Sequence, residues 1–301
     1  MRPAERNGVL WVGRNDSDYW PRQPEAVWAA VAMSLTEAWV LRTAFDPKYS
    51  HLRRLSTTAA LACTSRLAQR VALASTGFNP KWQPCPWQSG VVKAPASVQN
   101  EGVGYLRANW YTRNLRRYAP ELAGMGVVEE WLEGEAWEQD GYIVNDRIGW
   151  FWPLKQFWIR HQTKIRKYER ARSFAGPRGL RDSTEEVVRT LGLSDSCFCT
   201  EWRLTKRGWK LIEIQARLGQ DDGLAELMID SGDPLRVVEQ AACDAYRTQH
   251  PAGMVSPDAP EHDPVPGMRG TTAVANRASE REITLAGGSD PCSEPIIHKT
   301  G

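Results

Sequence analysis

The spacing of apolar and polar positions changes several times along the chain. Gly8-Val-Leu-Trp-Val-Gly13 is a short apolar run between glycines, which predicts a strand. The polar stretch Asn15-Asp-Ser-Asp18 and the prolines after it predict a loop. Residues 25–42 and then 57–74 read as helices, the second carrying Leu61, Leu67, Val71 and Leu73 and closing at Thr76-Gly77. From Ser89 onward strands alternate with helices. Val91-Val92-Lys93 predicts a strand, residues 107–119 a helix, residues 127–130 a strand and residues 142–144 another. Residues 162–172 are strongly basic and predict a segment that starts as a helix. Asp182-Ser-Thr-Glu-Glu186 places acid at the positive end of a helix that stops at Gly192. Residues 198–204 and 209–214 then predict a hairpin turned by Lys206-Arg207-Gly208. A last helix over residues 223–246 is interrupted near Gly232-Asp233-Pro234. Beyond Pro251 the composition shifts to Pro, Gly, Ser and Asp, which predicts a mobile tail over residues 251–301. The pattern as a whole is α+β.

Composition narrows the partners. The 301 residues allow one large domain or two smaller ones with real cores. Lys and Arg total 38 against 36 for Asp and Glu, so the net charge of +2 supplies no global field to draw nucleic acid or an anionic membrane. Any polyanion is held locally. The basic run of residues 160–172, with Arg113, Arg116 and Arg117, is the one feature that suits RNA, but no aromatic platform is interleaved with it, and a solvated helix face is the preferred reading. The six Cys form no CxxC pair, which argues against a zinc site and a disulfide framework; Cys197 and Cys199 read as small buried residues on one face of a strand. The N-terminus has no signal-peptide order, and residues 26–41, the most apolar stretch, contain Glu37 and fall short of the roughly 20 residues a membrane span needs. A cytoplasmic protein is the expectation.

Three segments carry chemistry. Lys93 ends a strand and is followed by Ala-Pro and a small-residue loop, so a point charge stands beside backbone N–H groups that can cover a phosphate. An edge-strand lysine would look the same. Residues 127–135, Val-Val-Glu-Glu-Trp-Leu-Glu-Gly-Glu, run from a strand into a hinge whose backbone groups can pair with an adenine edge; a solvent-exposed strand end with acidic decoration is the equal alternative. In the third segment Glu213, Gln215 and Arg217 alternate along one strand, and the hairpin can bring Glu201 beside them. Two carboxylates and an amide oxygen on one face make a hard-oxygen site for Mg²⁺, which would relieve the repulsion between the acids. A polar outer hairpin face is the plainer alternative.

The order and spacing of these segments resemble the ATP-grasp superfamily, in its carboxylate–amine ligase and D-alanine–D-alanine ligase branch, over residues 60–248. The resemblance implies an ATP-grasp fold, two α/β subdomains clasping ATP, with a shortened N-terminal α/β segment at 1–56, the ATP-grasp domain at 57–250 and the tail at 251–301. It also implies an ATP- and Mg²⁺-dependent ligase that joins a carboxylate, through an acyl phosphate, to an amine, both substrates small and amino-acid-like; a homodimer is compatible with it. On it, Lys93 and Lys155 would contact phosphates, Glu129, Glu130, Trp131 and Leu132 would hold adenine, and Glu135 would take the ribose. Glu201, Glu213 and Gln215 would carry magnesium, and Arg217 would stabilise the acyl phosphate and the oxyanion derived from it. The sequence departs from the family pattern at Gln215, where Asn is usual, at Ala136, where the ribose Glu is usual, and at Gly219-Gln-Asp-Asp222, which lacks a second Gly. Those departures motivate a degenerate, nucleotide-binding domain as the alternative.

Overall fold

A computed structural model describes residues 8–12, 29–84, 90–93, 103–106, 127–158, 165–219, 227–229 and 233–249. The expected loop at 15–18, helix at 107–119 and tail at 251–301 lie outside the described residues.

The N-terminal part is a three-stranded parallel sheet of β1 (Val9–Val12), β2 (Val31–Ser34) and β3 (Arg53–Arg54), with β2 in the middle. The helix expected over 25–42 is therefore corrected: residues 31–34 are a strand, and the helix α1 runs over Glu37–Phe45. All four β2 residues are buried, and a strand covered on both faces is apolar throughout, so it lacks the period of two that separates strand from helix.

Two helices follow, α2 (Thr57–Thr64) and α3 (Arg66–Ala72), where one was expected. Ser65 interrupts them with an extended backbone, φ −108° and ψ 117°, and its hydroxyl accepts from the Ala68 N–H to cap α3. The break turns Arg66, Gln69 and Arg70 inward, where all three are buried.

A four-stranded antiparallel sheet contains β4 (Trp82–Pro84), β5 (Gly90–Lys93), β6 (Val103–Leu106) and β7 (Val127–Glu129), in the order β4-β7-β5-β6. The larger sheet is six-stranded: β8 (Glu135–Val144), β9 (Arg147–Trp150), β10 (Leu154–Trp158), β11 (Ile165–Arg170), β12 (Ser196–Thr205) and β13 (Gly208–Gln215). In the basic run, residues 165–170 are a strand paired antiparallel with β10 rather than a continued helix, and the expected helical start at 162–164 lies outside the described residues. The strand's charges are spent locally: Arg170 donates to the Leu227 and Ile229 carbonyls, and Lys167 pairs with Glu169. The predicted β12–β13 hairpin is present.

One face of the large sheet presents Trp137, Phe198, Trp202 and Ile214 to α2, α3 and α4 (Leu180–Thr190). That burial is the main cohesive term of this half of the molecule. The other face is divided. At one end Val144, Leu154 and Cys197 pack against β2 and α5 (Pro234–Gln249). Cys197 and Cys199 are both buried on this face, as expected from the sequence, Cys197 within that apolar cluster and Cys199 beyond it. At the other end the face turns polar and looks toward the smaller sheet. Among the described residues no helix is long and apolar enough to cross a membrane.

Candidate active site: a cleft between two sheets

Strand β5 and the segment after β7 form one wall of a cleft, with Val91, Lys93, Glu129, Glu130, Trp131 and Leu132 in its lining. The opposite wall comes from the large sheet: Trp158, Glu201, Arg203, Ile212 and Glu213. The hinge between the walls is pinned where Gly134, at φ 138°, lies so close to β12 that a Cβ would stand 2.0 Å from the Leu204 carbonyl oxygen.

The polar wall follows from register. Glu201 of β12 stands opposite Glu213 of β13 on one side and Glu138 of β8 on the other, so three glutamates cross three strands in one row. The next row is Asp140, Cys199 and Gln215. Side-by-side carboxylates repel, and this face needs cationic charge beside it. Part of it comes from within: Arg66 pairs with Glu213, whose carboxylate also accepts from Gln215. Burial works against the charged form of Glu213, yet Arg66 and Lys93 hold it below the usual carboxylate range.

A second buried cluster closes the base. Glu129 accepts from Arg70 at 2.6 Å and pairs with Lys93 at 3.0 Å. Burial opposes its charge, but the two cations keep it ionised at lower pH than a free glutamate. Lys93 moves below the ordinary lysine value because it is buried, and Glu129 offsets only part of that. The register slips between Glu201 and Trp202, leaving Ile212 as an extra residue in β13. Its carbonyl accepts from both Lys93, at 2.7 Å, and Arg70, at 2.6 Å.

The structure thus brings together Lys93, residues 129–132, Glu201, Glu213 and, through its contact with Glu213, Gln215. The Glu130 carboxylate accepts from the Lys81 N–H and pairs with Arg207. Arg217 is buried just past β13, with Nη1 donating to the Leu218 carbonyl at 2.7 Å. Glu135 and Lys155 are not brought to the cleft. They pair with each other at 2.5 Å, and Lys155 stands opposite Trp137, on the face that looks away. Sequence reasoning assigned no site role to Arg66, Arg70, Glu138 and Asp140. The first two are a helical i, i+4 pair, and the acids alternate along β8, whose first seven residues the sequence reading left unassigned.

The oxygen donors of Glu201, Glu213 and Gln215, two of them in direct register, fit a hard divalent cation such as Mg²⁺.

No protein-family model matches the sequence, and no curated protein matches it. Solved structures do match its fold. The L-amino acid ligase from Bacillus licheniformis is similar at a TM-score of 0.58 and 18% identity, over 71% of this chain and 56% of that one. The D-alanine–D-alanine ligase from Bacillus anthracis is similar at 0.55 and 12%, over 73% and 82%. The N5-carboxyaminoimidazole synthetase from Staphylococcus aureus, solved with ADP, is similar at 0.52 and 11%, over 65% and 56%. The chain spans just over half the length of the first of these. The two sheets, the cleft between them and this agreement define an ATP-grasp fold, preceded by a short parallel α/β segment.

Proposed function

We propose that this protein is an ATP- and Mg²⁺-dependent ligase that joins a carboxylate to an amine. The observation that carries the reading is the facing of Lys93 and the Glu201–Glu213 pair across one cleft, with the 129–132 hinge at its edge. ATP would lie with its base against the hinge backbone, Trp131 and Leu132, and its phosphates between Lys93 and the acidic row. Magnesium, held by Glu201, Glu213 and Gln215, would supply charge neutralisation on those phosphates. The γ-phosphoryl group passes to a carboxylate oxygen and ADP leaves. The amine nitrogen then attacks the carbonyl carbon, the resulting oxyanion is held by Arg217, and phosphate departs as the nitrogen loses a proton. Positioning and electrostatics supply most of the rate, and no protein nucleophile is required. Residues 57–250 would form the catalytic domain, acting on small amino-acid-like substrates.

Mg·ATP should raise the melting temperature, and ADP release should depend on an added carboxylate and amine together. ADP release indifferent to both would contradict the ligase.

Nucleotide binding without turnover is favoured by one observation: Lys93 is already engaged by Glu129 and the Ile212 carbonyl, and phosphate must compete with both. Under that reading the melting temperature rises with Mg·ATP but no substrate elicits ADP.

A further inference from the structure

Glu138 and Asp140 lie two residues apart on β8, so both project to the side of the sheet that carries Cys199 of β12, with Asp140 directly opposite Cys199 and Glu138 opposite Glu201. All three are buried, at 2%, 1% and 5% exposure for Glu138, Asp140 and Cys199. One oxygen of each carboxylate and the Cys199 sulfur lie within 4.8 Å of one another. With zinc–ligand bonds of about 2.0–2.3 Å, the ligands of one ion stand no more than about 4.6 Å apart. These three atoms need little movement to share one.

Each carboxylate is oriented through one oxygen, as metal ligands are by their outer partners. Glu138 Oε2 accepts from Gln156 Nε2 at 3.0 Å, and Gln156 is fixed in turn by Trp158 Nε1, which donates to Gln156 Oε1 at 3.1 Å. Asp140 Oδ1 accepts from the Gly219 N–H at 3.3 Å. On the other oxygens, Glu138 Oε1 takes the Cys199 thiol across 3.6 Å, and Asp140 Oδ2 has no hydrogen-bond partner among the described residues. A carboxylate oxygen buried this deeply is seldom left without a partner, ion or water. The cations of this wall are engaged elsewhere. Arg217, whose charge acts on Asp140, also faces Glu37, 6% exposed, with 3.8 Å between Nη2 and Oε2. Arg66 pairs with Glu213 and Lys93 with Glu129.

We infer that Glu138, Asp140 and Cys199 bind a divalent transition-metal ion of the Zn²⁺ class, separate from the Mg²⁺ that accompanies nucleotide. Buried carboxylates set side by side need a cation, and a sulfur among them decides which kind. Mg²⁺ takes oxygen ligands and keeps much of its water, whereas a thiolate beside carboxylates suits Zn²⁺ or Co²⁺. On binding, the Cys199 sulfur gives its proton to solvent and bonds the ion as thiolate. Three protein donors are one short of the four of a closed structural zinc site, so a position stays open to water. The ion would also tie β8 to β12 at the row behind the cleft wall. The absence of a CxxC pair does not bear on such a site, whose donors come from Glu138-x-Asp140 on one strand and a single Cys on its neighbour.

The test dialyses the full chain against Zn²⁺ in excess Mg²⁺, which fills any oxygen-only site, and then uses Co²⁺ in place of zinc as a spectroscopic probe. Wild type should hold zinc against Mg²⁺, and Co²⁺ should give the near-ultraviolet charge-transfer band of a thiolate ligand. Cys199→Ala should lose the band and weaken zinc binding by more than about a hundredfold, while Cys63→Ala and Cys243→Ala keep both. Gln156→Leu removes only the partner that orients Glu138 and should weaken zinc about ten- to a hundredfold. Should Cys199→Ala fail to fold, the near-isosteric Asp140→Asn takes its place and should weaken zinc and shift the cobalt spectrum. Glu201→Gln should leave the band in place, which separates this ion from the one on nucleotide. The site is overturned if no zinc is held against Mg²⁺, if cobalt shows no thiolate band, if the band survives Cys199→Ala, or if it vanishes in Glu201→Gln. No readout draws on ADP release, so the result is independent of the ligase reading.

Discussion

Lys93 donates to the carbonyl oxygen of Ile212 at 2.7 Å, and this bond ties the smaller sheet to the larger across the cleft. The carbonyl belongs to the extra residue that the bulge leaves in β13. The same bulge keeps Glu213 opposite Glu201, so the contact that steadies the closed cleft and the pairing that suits a metal share one backbone irregularity.

Lys93→Met should weaken both fold and nucleotide binding. The substitution leaves buried Glu129 with Arg70 as its remaining cation, and breaking a buried ion pair costs about 3 kcal/mol. Urea denaturation should show a loss of that order, and Mg·ATP should no longer raise the melting temperature. Retained nucleotide stabilisation would remove Lys93 from the phosphate site.

The two proposed metal carboxylates should separate in a mutant pair. Glu201 is only partly buried, so Glu201→Gln should abolish ADP release with a stability change within about 0.5 kcal/mol. Glu213 is buried against Arg66, so Glu213→Ala should abolish ADP release and also destabilise by about 3 kcal/mol, since it removes the carboxylate that a buried guanidinium pairs with. Equal stability losses in the two variants would contradict the pairing with Arg66.

Lys155→Ala should be silent. Its partner Glu135 is half exposed, such pairs contribute about 0.5 kcal/mol, and the side chain stands on the face away from the cleft. A tenfold loss of ADP release, about 1.4 kcal/mol, would place it in the site after all.

Stability should carry the signature of Glu37. Its carboxyl holds a proton up to about pH 7 in the folded protein against 4.5 for the unfolded side chain. The folded state therefore binds more protons between those values, so this contribution favours folding at low pH and is lost as pH rises from 4.5 to 7. Relative to Glu37→Gln, wild type should lose about 3 kcal/mol across that window. Parallel stability profiles of the two proteins would contradict the burial of Glu37.

The sequence made some of this legible and hid the rest for physical reasons. Strands β5 and β7 were readable as short Val-Val runs ending in a charge, and the β12–β13 hairpin because its strands alternate and are joined by a turn at Lys206-Arg207-Gly208. The facing of Glu201 and Glu213 followed from that alternation. Strand β2 was hidden because burial on both faces erased its period, and Ser65 was hidden because a serine inside a helical pattern does not announce that it caps a second helix. In the basic run, Arg170 reaches backbone carbonyls brought close only by the fold. Glu37 was visible merely as the charge that spoiled a membrane span. Its relation to Arg217 exists only once the N-terminal sheet packs on the large one.

The central claim is that nucleotide occupies the cleft between the 129–132 hinge and strands β12 and β13. A crystal structure with Mg²⁺ and a non-hydrolysable ATP analogue tests it most directly. The base should lie against the backbone of residues 130–132, with the phosphates between Lys93 and the Glu201–Glu213 pair and the metal on those carboxylates. Nucleotide bound elsewhere, or a metal that avoids both glutamates, would contradict the account.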